Sequence, residues 1–150
     1  MANTYASIYI HYVFSTKKRA PLITDNARER LWAYMGGIAR ENHMTARCIG
    51  GVADHAHLLI SMPTSLSIAK GIQQIKGASS VWMRETFPDI REFAWQEGYG
   101  AFSVSKSHID ETVAYIEGQT EHHRNKSFQE EYLAFLRKHE IEFDERYLRD

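Results

Sequence analysis

The sequence predicts an α+β chain built on an antiparallel sheet. Three observations carry this: short runs in which apolar and polar residues alternate, longer runs whose apolar residues recur at helical spacing, and their order, β-α-β-β-α-β-α-α. Tyr5 to Ser15 alternates, with Ile8, Ile10, Tyr12 and Phe14 on one side and Ser7, Tyr9, His11 and Val13 on the other, so it reads as a strand. Lys17, Lys18, Arg19 and Pro21 mark a basic loop after it. From Asp25 to Asn42, Leu31, Tyr34, Met35 and Ile38 fall at i, i+3, i+4 and i+7, the stripe of a helix lying on a core. Met44 to Ile49 is a second strand, broken by Gly50 and Gly51, and His55 to Met62 is a third. Ser67 can cap a second helix that carries Ile68, Ile72, Ile75, Ser79 and Trp82 on one face and ends before Pro88. Gly100 to Val104 is the fourth strand.

A third helix is expected from Ser107, with Asp110 three residues on as in a capping box, to at least Gln119. Ser127 and Glu130 repeat that signature and open a last helix, about Phe128 to His139, with Tyr132, Phe135 and Leu136 on one side and an acidic tail beyond. The order matches the split β-α-β plan of ferredoxin-like, RRM-like domains, with helices on one face of the sheet and additional C-terminal helices.

At 150 residues, 43% hydrophobic and 25% charged, the chain has the balance of one globular domain over residues 1–150, in which 127–150 form a C-terminal helix and acidic tail. Cys48 stands alone, so no intramolecular disulfide forms, which fits the cytoplasm. The apolar run near the start, Ile8 to Phe14, is interrupted by His11 and is far short of a membrane span. The net charge of −1 speaks against a uniformly basic nucleic-acid binder. That total hides an asymmetry: Ser127 to Asp150 holds seven acids and four Lys+Arg, leaving 14 basic against 12 acidic side chains in the first 126 residues. A local basic surface is therefore permitted, with Lys17, Lys18 and Arg19 the clearest cluster and Lys70, Lys76, Arg84, Lys106 and Arg124 further candidates.

On the third strand, His55 and His57 are two residues apart, so both imidazoles leave the same face, while Ala56, Leu58 and Ile60 point to the other. Taken alone such a pair more often makes local hydrogen bonds than holds a cation. Tyr115 and Gln119, four apart, project from one helix face, opposite Ile109, Val113 and Ile116. Two imidazoles, an amide oxygen and a phenol are what metal-assisted phosphodiester transfer needs: ligands for Mg²⁺, Mn²⁺ or another divalent ion, and a nucleophile beside them. A free phenol titrates near ~10, so the nucleophile needs a proton acceptor, and the sequence names none.

The chain resembles the single-tyrosine HUH transposases of small bacterial and archaeal insertion sequences, the IS200-like group. The resemblance covers nearly the whole chain and rests on Asp54-His55-Ala56-His57-Leu58-Leu59-Ile60, the stretch from Trp95 to Ser105, and Tyr115-Ile116-Glu117-Gly118-Gln119 followed by His122 and His123. Ala56 stands where a larger valine or isoleucine is usual. The resemblance implies a transposase that cleaves and rejoins single-stranded DNA at hairpin-marked ends, without a nucleotide cofactor. Tyr115 would form a 5′-phosphotyrosine, while His55, His57 and Gln119 would hold the divalent ion. It further implies a homodimer in which the tyrosine helix of one subunit completes the site of the other. Two other readings are compatible with the residues: a domesticated relative that processes repeated chromosomal hairpins, and a non-catalytic nucleic-acid-binding module of the same fold. A histidine-based nucleotide hydrolase would need a third alternating histidine where Leu59 stands.

Overall fold

The computed structural model describes residues 3–122 and 126–143, with backbone alone at 121 and 122. Strand β1 (Tyr9–Ser15) leads through a 3-10 turn at Lys17–Arg19 to helix α1 (Asp25–Glu41). Strands β2 (Thr45–Val52) and β3 (His55–Ser61) follow, then α2 (Ile68–Thr86), β4 (Gly100–Val104), α3 (Ile109–Glu117), the short α4 (Gln119–His122) and α5 (Phe128–Lys138). The sheet order is β2-β3-β1-β4 and every pairing is antiparallel, the arrangement the split β-α-β reading requires.

Alternation along β1 and β3 sorts the two faces. Ile10, Tyr12, Phe14, Ala56, Leu58 and Ile60 bury themselves with Leu31, Met35 and Ile38 of α1 and Ile72 and Ile75 of α2. Burying each large aliphatic side chain in this layer contributes about 1.5–3 kcal/mol. The opposite face carries His11, Val13, His55, His57 and Leu59, all buried. It is covered by the C-terminal helices, with Val13 and Phe102 of β4 packed against Phe128 and Leu136, and Leu59 against Ile109 and Ile116. The sheet thus has a wholly apolar side and a side where histidines interrupt the apolar cover.

Thr24 caps α1 by accepting from the Ala27 N–H, and Ser67 caps α2 by accepting from the Lys70 N–H at 3.0 Å. Tyr34, expected on the buried stripe of α1, is exposed and stacks on Trp82 with ring centroids 4.5 Å apart. Ile8 is likewise exposed, since pairing in β1 starts at Tyr9. Gly50 and Gly51, expected to end β2, lie inside it. A Cβ at Gly50 would come within 2.8 Å of the Ile116 backbone oxygen, so the glycine lets α3 approach the strand. The third helix does not begin at Ser107: a 3-10 turn fills Lys106–His108, and the Ser105 hydroxyl bonds His108 Nδ1 at 2.6 Å in place of a cap. Nor does it run unbroken to Gln119, because Gly118 separates α3 from α4. At α5 Ser127 caps the helix as expected, accepting from the Glu130 N–H at 3.2 Å, and its hydroxyl donates to the Glu130 carboxylate at 3.2 Å. The acidic tail beyond Phe143, His123 and Arg124 lie outside the described residues, as does the His122 side chain.

Candidate metal and nucleophile site

His55 and His57 project from the middle of the sheet into a space closed by α3, α4 and α5, and both are 0% exposed. Burial of two imidazoles is tolerable only with hydrogen bonds to each ring nitrogen. His55 Nδ1 donates to the Asp54 carboxylate at 2.7 Å, which turns its Nε2 inward. His57 Nδ1 meets His11 Nε2 at 2.8 Å, which turns its Nε2 to the same point. Orienting partners of this kind fix which nitrogen of a histidine faces a ligand. The site residues expected from sequence are therefore brought together: Gln119 Oε1 lies 3.0 Å from His55 Nε2, and the Gln119 amide also donates to the Tyr115 backbone carbonyl at 3.4 Å. The break at Gly118 leaves the phenol of Tyr115 and the carboxamide of Gln119 on the same side.

The residue missed by sequence reasoning is Glu131 on α5. Its Oε1 accepts from His57 Nε2 at 2.9 Å and lies 3.5 Å from His55 Nε2. Its Oε2 accepts from the Tyr115 hydroxyl and, at 3.4 Å, from the Gln119 amide. With Glu131 2% exposed, the carboxylate is the electrostatic centre of a buried cluster. Phe128 and Phe135, three before and four after it, pack on either side, with ring centroids 4.6 Å from His55 and 5.1 Å from His11. A signal did exist in the sequence: an acid on the apolar stripe formed by Phe128 and Phe135 is out of place unless something buried answers it. His11 was overlooked too, although strand alternation already put it on the histidine face.

Ligand atoms from His55, His57 and Glu131 all lie within 4.8 Å of one another. Two imidazole nitrogens with carboxylate and amide oxygens nearby form a mixed donor set that suits a divalent ion. Burial, and then the bond to Glu131, push the Tyr115 phenol well above its ordinary range, so it stays protonated at neutral pH. Burial, with His57 next to it, holds His11 down to about 3, so it is neutral.

Of the basic cluster, Lys17 and Lys18 are exposed, while the half-buried Arg19 donates to Gln129 Oε1 at 3.2 Å. Lys76, a lesser candidate, instead clamps a loop, donating to the carbonyls of Gln96 at 2.6 Å and Gly98 at 2.9 Å. Arg84 similarly donates to the Phe93 carbonyl at 3.0 Å.

The model of the IS200-like transposases matches residues 4–119. This chain belongs to that family. Members of the IS200-like family process DNA, and this transposase shares that enzymatic character at the family level. It is 25% identical to the ISDra2 transposase TnpA of Deinococcus radiodurans over 73% of this chain and 81% of the relative. It is 26% identical to the transposase of insertion sequence IS200 from Salmonella typhimurium, over 71% of this chain and 74% of that protein. Among solved structures, a candidate transposase from Deinococcus radiodurans R1 superposes with a TM-score of 0.66 at 23% identity, covering 79% of this chain and 95% of that one. A REP-associated tyrosine transposase bound to a REP hairpin gives 0.60 at 13% identity, over 82% and 73% of the two chains. Both likenesses bear on the fold. Among the described residues, no helix of this transposase is long and apolar enough to cross a membrane.

Proposed function

We propose that this chain is a divalent-ion-dependent transposase that cleaves and rejoins single-stranded DNA at hairpin-marked ends, with Tyr115 as the nucleophile. The observation that carries this reading is the convergence of the Tyr115 hydroxyl, the two Nε2 atoms and the Gln119 amide on one buried carboxylate. His55, His57 and Gln119 are the expected ion ligands, and the Glu131 oxygen that faces the imidazoles joins them. A bound Mg²⁺ or Mn²⁺ there would draw charge from a phosphoryl oxygen and orient the scissile bond.

The remaining chemistry falls to the chain. The phenol is protonated when buried, so it must lose its proton as it attacks, and Glu131 Oε2 already accepts that hydrogen bond. The Tyr115 oxygen forms a bond to phosphorus, the bond from phosphorus to the 3′ oxygen breaks, and that oxygen leaves with a proton as a free 3′-hydroxyl. Attack by a 3′-hydroxyl on the resulting 5′-phosphotyrosine runs the step backwards and returns the proton to Tyr115. Bond energy is kept in the linkage, so no nucleotide cofactor enters. Lys17, Lys18 and Arg19 supply phosphate contacts on the approach.

The family and its hairpin-bound structural relative support a DNA substrate. A homodimer is part of the proposal on the strength of the family resemblance, and within one chain Gln119 and Tyr115 already reach the histidines. The test is to incubate the protein with a labelled, hairpin-ended single-stranded oligonucleotide and Mn²⁺ or Mg²⁺. A covalent adduct is expected that disappears in Tyr115→Phe. His57→Ala and Gln119→Ala are expected to lose the adduct and keep hairpin binding. Binding by the wild type with no adduct would make the chain a non-catalytic module instead.

A further inference from the structure

At Ser15 the sheet is short of a neighbour. Strand β4 pairs with β1 only from Tyr9 to Val13, whereas β3 pairs with it as far as Ser15, which stands opposite His55. Both backbone groups of Ser15 are bonded instead to Gln96: the Gln96 N–H donates to the Ser15 carbonyl at 3.0 Å, and the Gln96 side-chain oxygen accepts from the Ser15 N–H. We propose that Gln96, seated by the Lys76 ammonium, is a positioning residue for the ion site, standing in where β4 does not reach and bracing His55 through Ser15 and Thr16. The inference rests on the ion site of the function proposed above and names the residues that hold its frame.

The route from Gln96 to His55 runs through buried backbone. Ser15 and Thr16 are both 0% exposed, so their polar groups must be answered from within the protein. The Thr16 N–H donates to the Asp54 carbonyl at 2.9 Å, and the Asp54 carboxylate accepts from His55 Nδ1 at 2.7 Å. A shift at the end of β1 therefore moves both the strand residue opposite His55 and the residue that aims its ring. Nor can β3 yield on its other side, because a Cβ at Gly51 of β2 would already collide with the His55 carbonyl oxygen.

Gln96 is in turn fixed from α2. Lys76 Nζ donates to the carbonyls of Gln96 at 2.6 Å, Gly98 at 2.9 Å and Glu97 at 3.3 Å, and it lies 5.3 Å from the centre of the Phe14 ring. Three ammonium protons thus meet three main-chain oxygens, and the charge is spent on holding this segment. Three residues further along α2, Ser79 accepts from the Trp95 indole N–H at 2.9 Å, so the residue beside Gln96 is tied to the same helix. Supports behind a metal ligand govern how accurately it is aimed, and losing one commonly costs about 10–100-fold in ion affinity.

The test compares Mn²⁺ affinity, read by spin resonance on the full chain, with hairpin affinity and the unfolding midpoint. Gln96→Ala removes the acceptor of the Ser15 N–H and is expected to weaken Mn²⁺ binding about tenfold while hairpin affinity holds. Gln96→Glu keeps an oxygen within reach of that N–H and is expected to restore Mn²⁺ binding. Lys76→Met is expected to shift Mn²⁺ affinity in the same direction as Gln96→Ala, and no shift would strike Lys76 from the brace. A lowered unfolding midpoint in Gln96→Ala with unchanged Mn²⁺ affinity, or equal losses in Gln96→Ala and Gln96→Glu, would overturn the proposal. The wild type supplies a reading that needs no variant to fold. Because coupling between sites is reciprocal, Mg²⁺ should slow hydrogen exchange of the Ser15 amide more than that of the amides of α1, and equal protection would overturn the brace. Wild-type protein that takes up neither ion refutes the ion site and the brace together, whereas equal uptake by the wild type and Gln96→Ala removes the brace alone.

Discussion

His11 Nε2 sits 2.8 Å from His57 Nδ1, and this contact decides what His57 can present to an ion. With Glu131 accepting from His57 Nε2, the Nδ1 atom accepts from the His11 N–H. With an ion on Nε2, the proton of His57 resides on Nδ1 and the same contact runs in the other direction. His11 serves both states because a neutral imidazole both donates and accepts. Replacing it by Phe should therefore weaken Mn²⁺ binding about 10–100-fold, read by titration of the Mn²⁺ spin-resonance signal.

Acid should act through the same residue. His11 is held at about 3 by burial and by His57, against an ordinary value of 6.5, and Glu131 opposes the shift. Between those values the unfolded chain binds a proton that the folded chain does not, so stability rises with pH across this window and falls as the pH drops through it. His11→Phe should flatten unfolding free energy against pH between pH ~5 and ~6 by about 1 kcal/mol per unit, measured by urea denaturation. A slope identical to that of the wild type would show that His11 does not stay neutral in the fold.

Glu131→Gln keeps the shape of the side chain and removes both the charge and the proton acceptor. The rate of adduct formation at saturating Mn²⁺ should fall about 10²–10⁴-fold, the usual worth of a positioned base, and the hairpin affinity should hold. Quench-flow comparison of the two proteins checks both quantities.

Two glycines should respond in opposite directions to the same substitution. Gly50→Ala drives a Cβ to 2.8 Å from the backbone oxygen of Ile116, and α3 must shift, at about 1–3 kcal/mol. Gly77→Ala, in α2 with nothing within 4 Å of the new Cβ, should stabilise by about 0.4–1 kcal/mol. Denaturation midpoints of the pair give the sign of each change.

Trp95 tests the apolar side of the sheet. Its indole N–H donates to the buried Ser79 hydroxyl at 2.9 Å. Ser79→Ala strands that donor and should cost about 1–3 kcal/mol, whereas adding Trp95→Phe removes the orphan and should recover part of the loss. A double-mutant cycle by thermal or urea unfolding reads the coupling.

Most of the fold was legible because period and punctuation are local properties. Ser67 and Ser127 announce their helices through side chains that bond the adjacent backbone, and the alternation of Ile10, Tyr12 and Phe14 already states which face is covered. What failed depends on partners distant in sequence. Gly50 and Gly51 look like breakers until α3 lies against the strand, and Tyr34 looks like core until Trp82 offers it a surface ring. Ser107 carries the right pattern for a cap, but the hydroxyl of Ser105 reaches His108 and the first turn tightens. The site shows the same division. His55, His57, Tyr115 and Gln119 were readable from spacing and from likeness to a family, whereas Glu131 and His11 take their roles only from tertiary contact.

The family model matches residues 4–119, and Glu131 lies twelve positions beyond that match, on α5. The candidate ion pocket thus draws on two parts of the chain: imidazoles, phenol and amide from the matched stretch, and a carboxylate from the helix beyond it. Substitutions confined to that terminal helix would therefore change the charge beside the Tyr115 hydroxyl while leaving both strand histidines as they are.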